Sequence, residues 1–155
     1  YSLTTLQVTD WVKGPASASN TIVIRELGGL IGQDGELGGM WIDGTPQYAV
    51  GEEVVVFLEA REDGSLRTYA MAQGKFVVTH GIGGVASTVT RDTAAIAFAN
   101  WSEEQRRWSG RMTISHGRRE TLDLDTFLDV VRGIQNTYGT GSGALLPSEP
   151  SRRLR

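Results

Sequence analysis

The two histidines come first among residues that could do chemistry, because imidazoles beside a carboxylate can bind a metal or transfer protons. His80 and His116 are the only histidines of the chain, and each precedes a glycine. Their positions show no metal-ligand spacing such as His-Glu-x-x-His. The pattern therefore favours surface histidines beside turns over a metal site.

Other groups that could catalyse a reaction do not form a recognisable set. The chain has no cysteine and no Gly-x-Ser-x-Gly motif, which would mark a nucleophilic serine. Paired carboxylates could act as acid and base, but that needs one shielded member with a raised pKa. The chain has three such pairs: Glu52-Glu53, Glu103-Glu104 and Asp123-Asp125. Glu103-Glu104 lies in the polar run SEEQRR, and Asp123-Asp125 opens a predicted helix, where negative charge suits the dipole. We expect solvated or capping carboxylates, no enzymatic activity, no cofactor and no metal.

Two glycine-rich stretches invite comparison with phosphate-binding loops. Gly81–Gly84 (GIGG) follows a strand-like segment but continues into the β-branched VASTVTRD rather than into a helix. Leu27–Gly32 (LGGLIG) is followed by no Lys-Ser or Lys-Thr pair. A phosphate loop needs backbone amides aimed at the ligand from a helix N-terminus. Both stretches therefore favour turns.

Aromatic residues outside regular alternation offer the stronger functional argument. Trp41 and Tyr48 lie in an irregular glycine-rich segment, and Tyr69 lies in the strand-like LRTYAMA. Exposed aromatic side chains can anchor a partner protein or stack on a sugar or base. The structural alternative, which the pattern favours for Trp41 and Tyr48, is that they fill the mouth of a small barrel. If the protein binds a partner, we expect Trp41, Tyr48 and Tyr69 to contact it.

The elements that must position these residues are short strands separated by glycines. Twenty glycines in 155 residues fall mostly between segments of alternating polarity, where turns need them. Asp34-Gly35, Asp43-Gly44 and Asp63-Gly64 suit tight turns. Trp101 and Trp108 flank SEEQRR and suggest a hairpin with tryptophans paired at its base. Val54–Leu58 is unbroken apolar sequence, which predicts a central strand covered on both faces.

One helix is predicted near the C-terminus. Apolar residues recur there at helical spacing, with Asp123 placed as the cap, over residues 124–134. Beyond it, residues 139–155 have the composition of a linker, so we expect a flexible tail. We therefore expect one domain over residues 1–138.

Bulk composition narrows the classes of partner. A net charge of -3 argues against a general nucleic-acid binder, because phosphate neutralisation needs excess cations. No apolar run approaches the ~20 residues that span a bilayer, so we expect no transmembrane segment. The chain opens at Tyr1 without an initiator methionine, and we expect a trimmed or processed product.

Several segments together carry a family resemblance: VTDWVKG, IVIRELGG, AVGEEVVVFLEA, MAQGKFVV and the closing LDLDTFLDVVRGI. They resemble a poorly characterised domain of bacterial exported proteins. The strand ending in Lys-Gly and the Gly-Glu-x-Val-x-x-Phe-Leu feature are also similar to netrin-type modules and tissue metalloprotease inhibitors, which are OB-like barrels. Those animal proteins use disulfides and an N-terminal cysteine for inhibition, and this chain has neither. The resemblance thus implies a fold and an exported location, but no inhibitory mechanism.

Residues and resemblance together predict an all-β fold, a small antiparallel OB-like barrel with one C-terminal helix packed on it. The expected function is a non-enzymatic exported protein-interaction module, placed outside the cell or in the periplasm or cell envelope. Its expected partner is another protein or a neighbouring domain, and a barrel edge would also allow a homodimer. The alternative function is an OB-type domain that binds an oligosaccharide or single-stranded nucleic acid.

Overall fold

A computed structural model of the protein describes residues 1–13, 20–33, 36–100 and 113–138. These residues form mostly strands, with one short 3-10 helix (η1) and one α-helix at the C-terminal side. In chain order the elements are β1 (Ser2–Gln7), β2 (Thr21–Glu26), β3 (Gly29–Gln33), β4 (Glu36–Met40), β5 (Val54–Val56), β6 (Leu58–Ala60), β7 (Leu66–Thr68), η1 (Met71–Gly74), β8 (Lys75–Thr79), β9 (Thr88–Asp92), β10 (Ala97–Asn100), β11 (Thr113–His116), β12 (Arg119–Asp123) and α1 (Leu124–Tyr138).

The strands form two four-stranded sheets and two ribbons. One sheet has the order β1-β2-β7-β6 and the other has the order β12-β9-β8-β5, while β3-β4 and β10-β11 are two-stranded. The pairing of β2 with β7 is parallel, at Ile24 opposite Leu66, and the remaining pairings are antiparallel. The strand-rich class with a single C-terminal helix is therefore as predicted. The sheets of the described residues are not closed, so a barrel is not confirmed.

The prediction that Val54–Leu58 forms one central strand is wrong. The run divides into β5 and β6, and each is the edge strand of a different sheet. Phe57 joins them: its N–H donates to the Gly74 carbonyl at 2.9 Å, and its carbonyl accepts from the Tyr69 N–H at 2.8 Å. Val54–Val56 and Leu58 are half-buried and Phe57 is 36% exposed, so the run is not fully covered on both faces as predicted. The Phe57 ring still meets the rings of Phe76 and Phe127, with centroids 5.8 and 6.4 Å away. The unbroken apolar run therefore marks a crossing between sheets.

The core lies between the second sheet and α1. Phe76, Val78 and Val89 are buried there, and Leu124 and Phe127 of the helix pack against them. The rings of Phe76 and Phe127 have centroids 4.7 Å apart, within the range of favourable aromatic pairs. This contact confirms that the helix packs on the strands. The predicted cap is also confirmed, since an Asp123 carboxylate oxygen accepts from the Thr126 N–H at 2.8 Å.

Two of the three predicted Asp-Gly turns lie in the described chain and are confirmed. Gly44 and Gly64 have φ angles of 83° and 79°, in the left-handed region that glycine adopts without strain. Asp34-Gly35, the hairpin predicted between Trp101 and Trp108, and the tail over residues 139–155 lie outside the described residues. No helix in the described ranges has the length and apolar character to cross a membrane.

Candidate functional site

Trp41 stands on the surface at the end of the β3-β4 ribbon. Its side chain is 73% exposed, and its indole N–H donates to the Asp43 carboxylate at 3.2 Å. The adjoining turn closes when the Thr45 N–H donates to the Ile42 carbonyl, with Gly44 at positive φ. Trp41 therefore fills no interior space formed by the described residues, and its indole is accessible to a partner.

Tyr48, by contrast, is built into the structure. It is half-buried, and its hydroxyl lies 2.7 Å from the Thr68 hydroxyl. Burial raises the pKa of Tyr48 to about 12, and the nearby carboxylates of Glu26 and Glu52 act in the same direction. The Lys75 ammonium lies 4.5 Å from the centre of its ring, a cation–π distance. The structural interpretation thus fits Tyr48 better than a role as a freely exposed contact.

A buried polar network lies beneath Tyr48. Glu26 is 5% exposed, and one of its carboxylate oxygens accepts from both the backbone N–H and the hydroxyl of Thr68, at 2.8 and 2.6 Å. Because the Thr68 hydroxyl donates to Glu26, the Tyr48 hydroxyl must donate to Thr68. The network ties the end of β2 to the end of β7 and to the loop that carries Tyr48.

Lys75 fixes the same loop from the other side. Its ammonium donates to the Gln47 carbonyl and to the Glu52 carboxylate, the latter at 2.6 Å. The same Glu52 oxygen accepts from the Ala49 N–H at 2.8 Å. The side chains of Lys75 and Glu52 are only 10% and 17% exposed, so this ion pair is screened less than a surface pair. The loop over residues 45–52 is therefore held in one conformation.

Tyr69 begins a tight turn with an unusual backbone. The Tyr69 side chain is 58% exposed, and the next two residues, Ala70 and Met71, have φ angles of 50° and 60°. Non-glycine residues in this left-handed region carry strain, which persists only where the surroundings enforce it. Gly74 closes the turn, since a Cβ there would lie 2.3 Å from the Tyr69 carbonyl oxygen. The turn presents Tyr69 outward.

The turns that carry Trp41 and Tyr69 contact each other. The Ala72 N–H donates to the Gly44 carbonyl at 2.8 Å, and the terminal carbon of Met71 lies 3.6 Å from the position of a Cβ on Gly44. Met71 is itself 36% exposed. We call Trp41, Tyr69 and Met71 the aromatic face. The structure thus brings two of the three predicted contact residues onto neighbouring turns, and it places Tyr48 in the support beneath them.

A solvent-open cavity of about 300 Å³ lies beside η1, where Gln73 contributes to its lining. Its main polar groups are Arg91 on β9, His116 on β11 and Arg118 and Glu120 near or on β12; Gln73, Thr93, Phe98 and Gly117 complete the lining. Glu120 accepts from Arg91 through one oxygen and from Arg118 through the other, the latter at 2.9 Å. Hydrogen bonds from these arginines hold the pKa of Glu120 below its usual value.

The two histidines have different surroundings. The His80 imidazole lies 2.8 Å from the Glu53 carboxylate, and both side chains are exposed to solvent. His116 lines the cavity, where the carboxylate is that of Glu120. The part of the chain that the structure describes contains no group of three or more His, Asp or Glu side chains that could hold a metal ion.

Sequence reasoning missed the cavity, the contribution of Met71 and the burial of Glu26. Arg91 and Glu120 are cross-strand partners in the β9-β12 pairing, yet they lie 29 residues apart along the chain. Period-two alternation in TVTRD and RETLD could have placed each residue on one face of its strand. The register that joins the two strands has no such local signal.

Comparison with known proteins adds no relative from which a function could be transferred: the chain matches no protein-family model, no curated protein and no solved structure.

Proposed function

We propose that this protein is a non-enzymatic interaction module that binds another protein or a neighbouring domain through the aromatic face. The observation that carries the proposal is the exposure of Trp41 and Tyr69, 73% and 58%, on two turns joined by a backbone hydrogen bond. Large aromatic residues dominate protein interfaces, where a buried anchor is worth about 2 kcal/mol or more. Met71 adds an adaptable apolar side chain beside them.

The support beneath the aromatic face favours binding without rearrangement. Tyr48, Thr68 and Glu26 form a continuous hydrogen-bonded path below the turns, and Lys75 with Glu52 fixes the adjoining loop. A surface that is already ordered loses less conformational entropy when a partner binds. The left-handed backbone at Ala70 and Met71 fits the same interpretation, because strain of this kind concentrates at functional turns.

The sequence resemblance, rather than the geometry, supports the proposed location. We propose that the module works outside the cell or in the periplasm or cell envelope, as the resemblance to exported bacterial domains implies. The OB-like barrel stays part of this proposal as well. The alternative function of the protein, as an OB-type domain that binds an oligosaccharide or single-stranded nucleic acid, also requires exposed aromatic residues. The test must therefore separate protein partners from these two classes of ligand.

A capture experiment with a matched control tests the aromatic face. The chain and its Trp41→Ala/Tyr69→Ala variant are immobilised and exposed to a cell-envelope extract, and captured proteins are quantified by mass spectrometry. The control is Ile82→Ala/Val85→Ala, which removes two side chains that are 87% and 71% exposed on the β8-β9 loop. We expect the first variant to lose a partner that the control retains.

Equal capture by both variants would reject the aromatic face as the binding surface. The same proteins are titrated with a mixed oligosaccharide pool and with a single-stranded oligonucleotide. Saturable binding of either ligand that depends on Trp41 and Tyr69 would replace the protein partner by the alternative function.

We further propose that a second copy of the chain pairs along β1, the edge of the first sheet. The Val8 N–H donates to the Asn20 carbonyl, so alternate residues from Ser2 to Val8 bond to β2 and the backbone groups of Leu3, Thr5 and Gln7 point away from it. The strand SLTTLQ carries no charge and no proline, the devices that usually block edge pairing. An antiparallel pair of β1 strands satisfies a two-fold axis.

A further inference from the structure

We infer that the cavity beside η1 is a binding site for a small oxyanion, a ligand bearing a carboxylate or phosphate group. The site is separate from the aromatic face, and the inference goes beyond the proposed function. It rests on the charge of the cavity, on the N–H donors that its two arginines leave unused and on its volume.

The charge of the lining is positive. Arg91 and Arg118 contribute two guanidinium groups, against the single carboxylate of Glu120, and His116 adds charge when protonated. Arginine remains charged at any physiological pH, and Glu120 is held in its charged form by the two arginines. The cavity therefore keeps an excess of one positive charge with His116 neutral, and an anion would balance it.

Glu120 leaves the donors of both guanidinium groups partly unused. It gives one oxygen to a terminal nitrogen of Arg91 and the other oxygen to the Nε of Arg118. Neither arginine is therefore held in the two-bond fork that an oxyanion forms with a guanidinium group. The structure pairs a single bridging carboxylate with two groups that each have further N–H donors.

The Arg91 Nε is a buried donor with no hydrogen-bond partner among the described residues. Buried donors are nearly always paired, and an unpaired one in a native structure calls for an explanation such as a ligand. The Arg91 guanidinium also lies 5.4 Å from the centre of the Phe76 ring, a cation–π distance. The Nε itself is closed to solvent, so a bound oxyanion would accept from the terminal N–H groups of Arg91 and Arg118, whose side chains are 34% and 81% exposed.

The cavity is large enough for a small ligand. About 300 Å³ lies at the low end of the range for small-molecule sites, roughly 300–1,000 Å³. Gln73 and Thr93 add neutral polar groups to the lining, and Phe98 adds an apolar wall. Because the cavity is open to solvent, it accommodates a short carboxylate or phosphate ester and sets no limit on the part of a ligand that extends outward.

The test is a calorimetric titration of the full chain with sodium phosphate, sodium succinate and sodium acetate at constant ionic strength. We expect at least one of them to bind saturably with a Kd below about 1 mM. The anion with the lowest Kd shows whether the site prefers a phosphate or a carboxylate group. Comparing the Kd of acetate with that of succinate shows whether one carboxylate is enough for binding. No saturable binding by any of the three would overturn the inference and leave a water-filled ion-pair site.

Arg118→Gln and Arg119→Gln form a matched pair of variants. They remove the same charge from adjacent positions, but only Arg118 lines the cavity, and both residues are exposed enough for the fold to tolerate the change. We expect Arg118→Gln to weaken binding about 10-fold or more and Arg119→Gln to weaken it less than about 2-fold. Equal weakening by both variants would show diffuse attraction instead of a site. Capture by the aromatic face is measured separately, so the failure of one proposal is distinguishable from the failure of the other.

Discussion

Thr68→Val is the most informative perturbation of the support beneath the aromatic face. Thr68 is 1% exposed, and its hydroxyl joins the Glu26 carboxylate at 2.6 Å to the Tyr48 hydroxyl at 2.7 Å. Valine has nearly the same shape, so the substitution removes the hydroxyl without opening a cavity. It leaves the Tyr48 hydroxyl without its acceptor and Glu26 with one donor fewer.

The expected loss follows from those two hydrogen bonds. A bond to a charged group contributes about 1.5–3 kcal/mol and a neutral one about 1 kcal/mol. We therefore expect Thr68→Val to lower the free energy of unfolding by about 3 kcal/mol, measured by urea denaturation with circular dichroism. Thr79→Val is the control, because Thr79 is an exposed residue of β8, and we expect a change within about 0.5 kcal/mol.

A double-mutant cycle with Tyr48→Phe separates the two bonds. Once Thr68 is valine, removal of the Tyr48 hydroxyl deletes no further bond, so the two losses should not add, with a coupling of about 1 kcal/mol. A loss below about 1 kcal/mol for Thr68→Val, or strict additivity with Tyr48→Phe, would show that these hydrogen bonds contribute little to stability. Either result would mean that the network does not hold the turns in place.

Three further predictions concern pH, the helix and the edge strand. Burial raises the pKa of Tyr48 to about 12. The stability that the protonated hydroxyl contributes is therefore complete below pH 10 and is lost as the pH rises towards 12. We expect Tm to fall less steeply with pH in this window for Tyr48→Phe than for the unmodified chain. Asp123→Ala should lower Tm, and Asp123→Asn should lower it much less, because an amide oxygen can still accept from the Thr126 N–H. An equal loss of Tm in both variants would contradict capping by this side chain. Sedimentation velocity should show a dimer for the unmodified chain and a monomer for Thr5→Pro, because proline removes a backbone N–H that points away from β2. A monomeric unmodified chain at about 100 µM would reject pairing along β1.

Features with a local signal were predictable from the sequence. The helix follows from apolar residues three and four positions apart, and its start from Asp123, whose carboxylate caps the first turn. The β6-β7 hairpin follows from Asp63-Gly64, where the Asp63 carboxylate accepts from the Ser65 N–H and Gly64 adopts positive φ. In each case the residues that determine the structure lie within one turn of one another.

Features that depend on distant partners were not predictable. The apolar run at Val54–Leu58 predicts one buried strand, but not that the chain passes from one sheet to another at a partly exposed Phe57. Glutamate is rarely buried, so Glu26 at the end of TIVIRE gave no sign that it accepts two hydrogen bonds from Thr68. The parallel pairing of β2 with β7 and the register of β9 with β12 likewise depend on long-range contacts.

For the candidate site, aromatic residue type identified two exposed residues and one that is built into the structure. Trp41 was selected in an irregular glycine-rich segment and Tyr69 in the strand-like LRTYAMA, and both are exposed. Tyr48 was selected by the same argument, but its hydroxyl found an acceptor at Thr68, 20 residues away. Whether an aromatic residue on a loop faces solvent or the interior depends on such contacts, which its own neighbours in the sequence do not reveal.

Photo-crosslinking shows whether a partner contacts the aromatic face. A benzophenone amino acid replaces Trp41 in one variant and Ile82 in another, two residues with similar exposure on different loops. After irradiation in intact cells, we expect a discrete crosslinked protein from position 41 that position 82 does not produce. The same crosslinks from both positions, or none from position 41, would mean that this protein does not meet its partner at the aromatic face.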